Sequence, residues 1–237
     1  MSTLQEKLDI LQNYSACDVS DALLKLQKPA DGFPARAGHL ADFSPISPSL
    51  TRTSSLPKLI APASTITFIP KSSSPEPNVH SENLFPPGTH WVDNTTADTI
   101  VLIQQPPDQH CAVLGGIMAL RMKTLGVKGV LVDGRVRDLE ELHGCRIPVW
   151  ARGVSTVGTG AEAKPAYRDL PVDVGGVVVR KGDIVFVDPL EGVVVIPVEL
   201  LDEVLRIMPG LVGMDDKVKE AVGAGMSVFE AFKKFRG

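Results

Sequence analysis

The stretch Leu114–Leu142, LGGIMALRMKTLGVKGVLVDGRVRDLEEL, leaves this chain few ways to fold. Leu114, Ile117, Met118, Met122 and Leu125 recur at spacings that share one helical face, with Arg121 and Lys123 pointing away from it. The pattern predicts a helix that opens just after the glycine pair and stops at Gly126. Val127 to Val132 is dominated by Val and Leu, as in a buried strand, and Gly134 reads as the turn beyond it. Arg135, Arg137 and Asp138 follow at once. A loop, a helix N-terminus and a strand end therefore converge on one small volume where chemistry is feasible.

Composition narrows the class around that stretch. At 237 residues, 43% hydrophobic and 22% charged, the chain can bury a substantial core as one large domain or two small ones. Its net charge of −4 comes from 24 basic and 28 acidic residues mixed along the sequence, which argues against a nucleic-acid partner. Cys17, Cys111 and Cys145 are odd in number and widely spaced, with no C-x-x-C pair, so neither a disulfide framework nor a structural zinc site is expected. The start, MSTLQEKLDILQ, has no apolar signal core, and no run reaches the roughly 20 apolar residues that span a bilayer. The expectation is a protein of the cytoplasm with no membrane association.

Leu4, Leu8 and Leu11 mark a first amphipathic helix. Asp18 and Asp21 suggest the capped start of a second, through Ala22, Leu23, Leu24 and Leu26 to a stop at Pro29. Residues 44–57 and 71–88 are rich in Ser and Pro and read as loops, with a β-rich piece, Ser64 to Ile69, between them. Further strands are expected at Thr99–Gln104, at Val149 and Trp150, and at Val172–Val179, Ile184–Asp188 and Val193–Ile196. A helical tail over about 198–237 is expected from the periodic run Val198–Met208. Its last helix opens on a capping box at Ser227 and Glu230 and carries Val228, Phe229 and Phe232. No solenoid repeat is present.

Gly115, Gly116, Ile117 and Met118 combine flexible backbone with the free N–H groups of a helix start, which can hold a carboxylate or a phosphate. They can equally form a tight turn into a core helix. No G-x-x-x-x-G-K marks a nucleotide loop. Arg137 can grip a carboxylate through two parallel hydrogen bonds, and Asp138 offers a hard oxygen ligand to Mg²⁺. Asp133, Arg137 and Asp138 read equally well as surface ion pairs, with Asp138 as a helix N-cap. His39, His80, His90, His110 and His143 show no metal-ligand spacing and are read as structural, and no G-x-S-x-G frames a serine nucleophile. Gly153, Gly158 and Gly160 lack the order of a dinucleotide loop, so a Rossmann domain is discounted. Asp188 to Gly192 reads as a hairpin turn whose two carboxylates could reach a site across a subunit boundary.

Taken together, GGIMA from Gly115, VDGRVRD from Val132 and KGDIVFVDPLEGVVVIP from Lys181 resemble the RraA-like family. That family includes the regulator of ribonuclease activity A and the 4-hydroxy-4-methyl-2-oxoglutarate / 4-carboxy-4-hydroxy-2-oxoadipate aldolases. CDVSDALL from Cys17 and APASTITF from Ala61 look like further landmarks, so the likeness covers about Ser15 to Val204. It implies a single α/β domain of the swivelling β/β/α type with flanking N- and C-terminal helices, assembled as trimers or hexamers, with sites at subunit interfaces. Carried over by position, the amides of Gly115 to Met118 hold a substrate carboxylate, Arg137 contacts the substrate, and Asp138 anchors Mg²⁺ or Mn²⁺ partly through water. The aldolases carry an aspartate directly after the first glycine of the loop, where this chain has Gly116.

The implied activity is that of a divalent-metal-dependent lyase forming pyruvate enolate from a small 2-oxo acid, as a 4-hydroxy-2-oxo diacid aldolase, an oxaloacetate decarboxylase, or both. Decarboxylation needs no base to take a hydroxyl proton, so Gly116 affects it less. The rival expectation is a non-catalytic regulator acting through protein contacts. A methyltransferase has no support, because no glycine-rich cofactor loop follows a first strand.

Overall fold

The computed structural model describes residues 2–28, 32 and 34–236. In chain order the helices are α1 (Leu4–Leu11), α2 (Ala16–Leu26), α3 (Gly116–Thr124), α4 (Leu139–Cys145), α5 (Leu201–Gly223) and α6 (Val228–Phe235). The strands are β1 (His39–Leu40), β2 (Ser44–Ser47), β3 (Leu59–Pro70), β4 (Ile100–Gln104), β5 (Gly129–Val136), β6 (Val149–Val154), β7 (Ala163–Arg168), β8 (Val172–Val174), β9 (Val177–Val179), β10 (Ile184–Asp188) and β11 (Gly192–Ile196).

The long strand β3 joins two halves of one mixed sheet. Its first residues pair antiparallel with β10, which continues through β11 to β1, and its later residues pair parallel with β4. From there β4, β5 and β6 run parallel, β2 closes the edge antiparallel to β6, and β7 pairs with the end of β3. Alternate residues of β4 face opposite cores. Val101 and Ile103 join the cluster under α3 and α4, while Ile100 and Leu102 face the cluster shared with β10, β11 and the β8–β9 hairpin. Burial on both faces is why these strands read as continuous Val, Ile and Leu. A third cluster lies under α1, α2 and α5, against Ile184, Phe186, Val194 and Ile196. The result is the α/β architecture expected, with helices flanking a central mixed sheet.

Several local expectations change. Helix α2 is capped by Ser15, with Asp18 as the N3 partner of its capping box, so it starts earlier than the Asp18–Asp21 pair suggested. Pro29, its expected stop, lies outside the described residues. Ser44–Ser47, inside the first Ser/Pro-rich stretch, forms β2 because the edge of β6 offers it a pairing partner. Val172–Val179 splits into two strands at Gly175 and Gly176, both in the left-handed region that a tight hairpin needs. Gly134 is no turn. It lies within β5, at a register shift between Val132 and Arg135, where an added Cβ would collide with the buried Gln105 side chain.

On α3, the residues turned inward are Gly116, Ala119 and Met122, while Ile117 is 72% exposed and Leu120 55%. The apolar face read from sequence thus points partly outward. Helix α6 opens on the Ser227–Glu230 capping box, yet Ala231 is its buried residue, and Val228, Phe229 and Phe232 face outward. Among the described residues no helix is long and apolar enough to cross a membrane.

Candidate active site

The parallel strands β4 and β5 end side by side, and the chain leaving each of them enters a helix: 105–115 leads into α3, and Arg137–Asp138 leads into α4. Helix N-termini at the carboxyl ends of parallel strands are where α/β folds place their ligands. Here the approach is tight. Val113 N donates to Arg135 O (2.9 Å) and Arg137 N donates to Leu114 O (3.0 Å), so 112–114 runs as an extra rung beside the end of β5. This ladder sets Gly115 directly against Arg137 and Asp138.

A cavity of about 430 Å³ opens there, lined among others by Gly115, Ile117, Met118, Arg137 and Asp138. Five of the six residues singled out from sequence therefore share one space. Gly116, the sixth, is buried behind it. A second hollow of about 680 Å³, bordered by His110, Arg135 and Ser155, lies on the other side of Arg137 and Asp138, so these two form the ridge between the cavities. His90 lines the first cavity and His110 the second, whereas His143 Nε2 is bonded to Ile46 O at 2.7 Å. Asp133 turns away and pairs with Arg152 on β6. The hairpin Asp188–Gly192 has an internal role: Asp188 is buried, and its carboxylate accepts from the amides of Leu190, Glu191 and Ala16.

Asp138 occupies the N-cap position of α4 in the left-handed region (φ 60°, ψ 49°), and its side chain does not cap its own helix. Its Oδ2 instead accepts from the amide of Gly116 (3.3 Å), the first residue of α3. Aspartate adopts that region more readily than most residues, and Asp42, Asp98, Asp108 and Asp169 do so too. Ala119 N is the first amide of α3 bonded within the helix, to Gly115 O, and the amides of Ile117 and Met118 have no acceptor among the described residues. These free donors lie at the positive end of the helix dipole and open toward the cavity, an arrangement that can hold a carboxylate.

Arg137 Nε is 3.4 Å from Asp138 Oδ2, and both side chains are over one third exposed. At that exposure the pair contributes about 0–1 kcal/mol, so it does not lock either group away from a ligand. The guanidinium lies in a slot between two glycines. A Cβ on Gly158 would be 2.8 Å from Arg137 Nη1, and one on Gly115 would be 2.6 Å from Asp138 Oδ2 and 3.4 Å from Arg137 Nε. The loop that carries Ala112 to Leu114 is held from several sides. Glu162 Oε2 accepts from the amides of Cys111 (2.6 Å) and His110 (2.7 Å), Thr159 Oγ1 donates to Ala112 O (2.6 Å), and Gln105 Nε2 donates to Cys111 O (2.8 Å). Bonding from the Cys111 and then the His110 amide holds the Glu162 carboxyl below the usual range. Burial pushes the Cys111 thiol up, which keeps it protonated and unreactive.

Sequence reasoning missed Gly158, Glu162, Thr159 and Gln105. The glycine cluster 153–160 was visible, but its use as the wall beside Arg137 depends on a contact across the sheet. Among the described residues no three His, Cys, Asp or Glu side chains converge as metal ligands. A Mg²⁺ site needs only one or two carboxylates, and the hard, open Asp138 carboxylate, cradled by a glycine, fits that requirement.

Comparison with known proteins agrees with this topology. The model of the RraA-like family, Aldolase/RraA, matches residues 16–195. The chain belongs to the RraA-like family. Over 229 residues it is 25% identical to protein DlpA of Legionella pneumophila, a match covering 97% of this chain and 34% of DlpA. It is 27% identical over 133 residues to a Halalkalibacterium halodurans protein named "Putative 4-hydroxy-4-methyl-2-oxoglutarate aldolase", covering 56% of this chain and 62% of that protein. The chain thus spans less than two thirds of the length of these curated relatives. Streptomyces coelicolor RraAS2, described as an unusual member of the RNase ES inhibitor RraA protein family, superposes with a TM-score of 0.67 at 22% identity, over 95% of this chain and 99% of that one. At that identity the likeness establishes the shared RraA-like fold.

Proposed function

We propose that this RraA-like domain is a divalent-metal-dependent carbon–carbon lyase acting on a small 2-oxo acid. The observation that carries the reading is the meeting of Arg137, Asp138 and the free amides of Ile117 and Met118 in one cavity. The amides hold the substrate carboxylate, and the Arg137 guanidinium faces the 2-oxo oxygen, where negative charge grows as the bond to carbon 3 breaks. The electron pair of that bond passes into the 2-oxo group to give pyruvate enolate. Carbon dioxide leaves when the substrate is oxaloacetate; when it is a 4-hydroxy-2-oxo diacid, the 4-hydroxyl gives its proton to water as it becomes a carbonyl, and a second carbonyl compound leaves. Protonation at carbon 3 then yields pyruvate. Mg²⁺ or Mn²⁺ at Asp138, with water completing its shell, would add positive charge beside the enolate oxygen. The names of the aldolase relatives support the reading.

Pyruvate release from oxaloacetate and from hydroxy-oxo diacids, followed with coupled lactate dehydrogenase, tests it. Chelator should abolish turnover and added Mg²⁺ or Mn²⁺ restore it, whereas metal-independent turnover would contradict it. A regulator acting through protein contacts is the second reading, favoured by the outward-facing Ile117 and Leu120 beside the cavity. Silence across the substrate panel, together with demonstrable metal binding, would favour it.

A further inference from the structure

Arg135 and Arg137 flank the buried Val136 where β5 ends, so their side chains leave the backbone on the same face. Arg135 Nη1 donates to Val154 O (3.2 Å), and the side chain crosses Gly153, where a Cβ would be 2.9 Å from the same nitrogen. The guanidinium is thereby held in place with most of its five donors free, since among the described residues no carboxylate pairs with it. It borders the hollow of about 680 Å³ on the far side of the Arg137–Asp138 ridge. The carboxylate on that border is Asp138, which already pairs with Arg137. Ser155, also on the border, accepts from the amide of Val157 through Oγ (3.0 Å), which leaves its O–H free to donate. Because Arg137 and Asp138 line both spaces, a molecule lying against them can reach from the free amides of α3 on one side to Arg135 on the other.

We propose that Arg135 is a specificity-determining residue: it takes the far carboxylate of a 2-oxo diacid whose first carboxylate lies on the amides of Ile117 and Met118. This rests on the lyase reading above and chooses between its two reactions. In decarboxylation the far carboxylate leaves as neutral carbon dioxide while the bonding pair stays on carbon 3, so a guanidinium that grips it stabilises the substrate more than the transition state. In aldol cleavage the bonding pair likewise stays on carbon 3 and the 4-hydroxyl gives its proton to water. The far carboxylate then departs unchanged on the new carbonyl compound, and the grip holds throughout. Arg135 therefore favours 4-hydroxy-2-oxo diacids over oxaloacetate.

Calorimetric binding of two unreactive ligands of equal chain length, 2-oxoglutarate and 2-oxopentanoate, tests the grip without turnover. On the unmodified protein with Mg²⁺ the diacid should bind about 10- to 100-fold more tightly, the gain expected of charged hydrogen bonds. That advantage should disappear in Arg135→Gln, which keeps a donor for Val154 O, and survive in part in Arg135→Lys. Equal affinities on the unmodified protein, or an advantage that persists in Arg135→Gln, would overturn the role of Arg135 and leave the 2-oxo acid site standing. The ratio of aldol cleavage to oxaloacetate decarboxylation should fall about tenfold in Arg135→Gln, and an unchanged ratio would overturn the choice of reaction. Failure of the unmodified protein to bind either ligand would overturn both this role and the lyase reading.

Discussion

Arg137 shows how little room the site allows at the scale of single residues. Its guanidinium passes between Gly115 and Gly158, and the atom that a Gly158 methyl would strike is the far end of a flexible chain. Gly158→Ala should therefore leave stability within about 0.5 kcal/mol, as for surface changes generally, while displacing the guanidinium and raising the Michaelis constant several-fold. Thermal melts and steady-state kinetics on the same preparation check both halves; a large loss of stability would show that the slot cannot yield. That Arg137 and Asp138 lie beside the glycine loop was legible because both follow a buried strand directly. Gly158 was not legible, since its partner lies on another strand. The burial of Gly116 depends on how α4 packs on α3, which no spacing along the chain encodes.

Among the elements, the loop 110–114 shows most clearly how the fold positions chemistry. Its later residues pair by backbone with β5 and with Val157, and Glu162, Thr159 and Gln105 hold its start. The folded Glu162 carboxyl titrates below its unfolded value, so its stabilising effect is present above the usual carboxylate pKa and is lost as pH falls through the lowered one. Glu162→Gln should lower the urea midpoint at pH 7 and flatten its decline toward acid. A variant whose midpoint follows the wild-type curve across pH 3–7 would show that the two amides are held by something else. Strand identities were readable from runs of Val, Ile and Leu. The extension of β5 through Gly134 was not, because that glycine accommodates Gln105 and makes no turn. The face of α3 was only partly readable: Met122 is buried as its spacing suggested, but Ile117 from the same face is exposed, and Gly116 and Ala119 are what the sheet and α4 leave room for.

For the whole molecule, the outward faces of Ile117 and Leu120 lie beside an open site, and covering two such side chains is worth about 1.5–3 kcal/mol each. A neighbouring subunit seated there would exclude water and strengthen the charges around Arg137 and Asp138. Sedimentation of the 25.4 kDa chain should give the mass of a trimer or hexamer, with Leu120→Glu reducing both mass and activity. A fully active monomer would contradict that assembly. The central claim, that Asp138 serves a cation while Arg137 serves the substrate, is tested most directly by pyruvate formation measured against Mn²⁺ concentration in Asp138→Asn and Arg137→Lys. Asp138→Asn should lose activity by orders of magnitude and recover part of it at high Mn²⁺, whereas Arg137→Lys should show a raised Michaelis constant and reduced turnover that added metal does not restore. Identical responses of the two variants to Mn²⁺ would contradict the account.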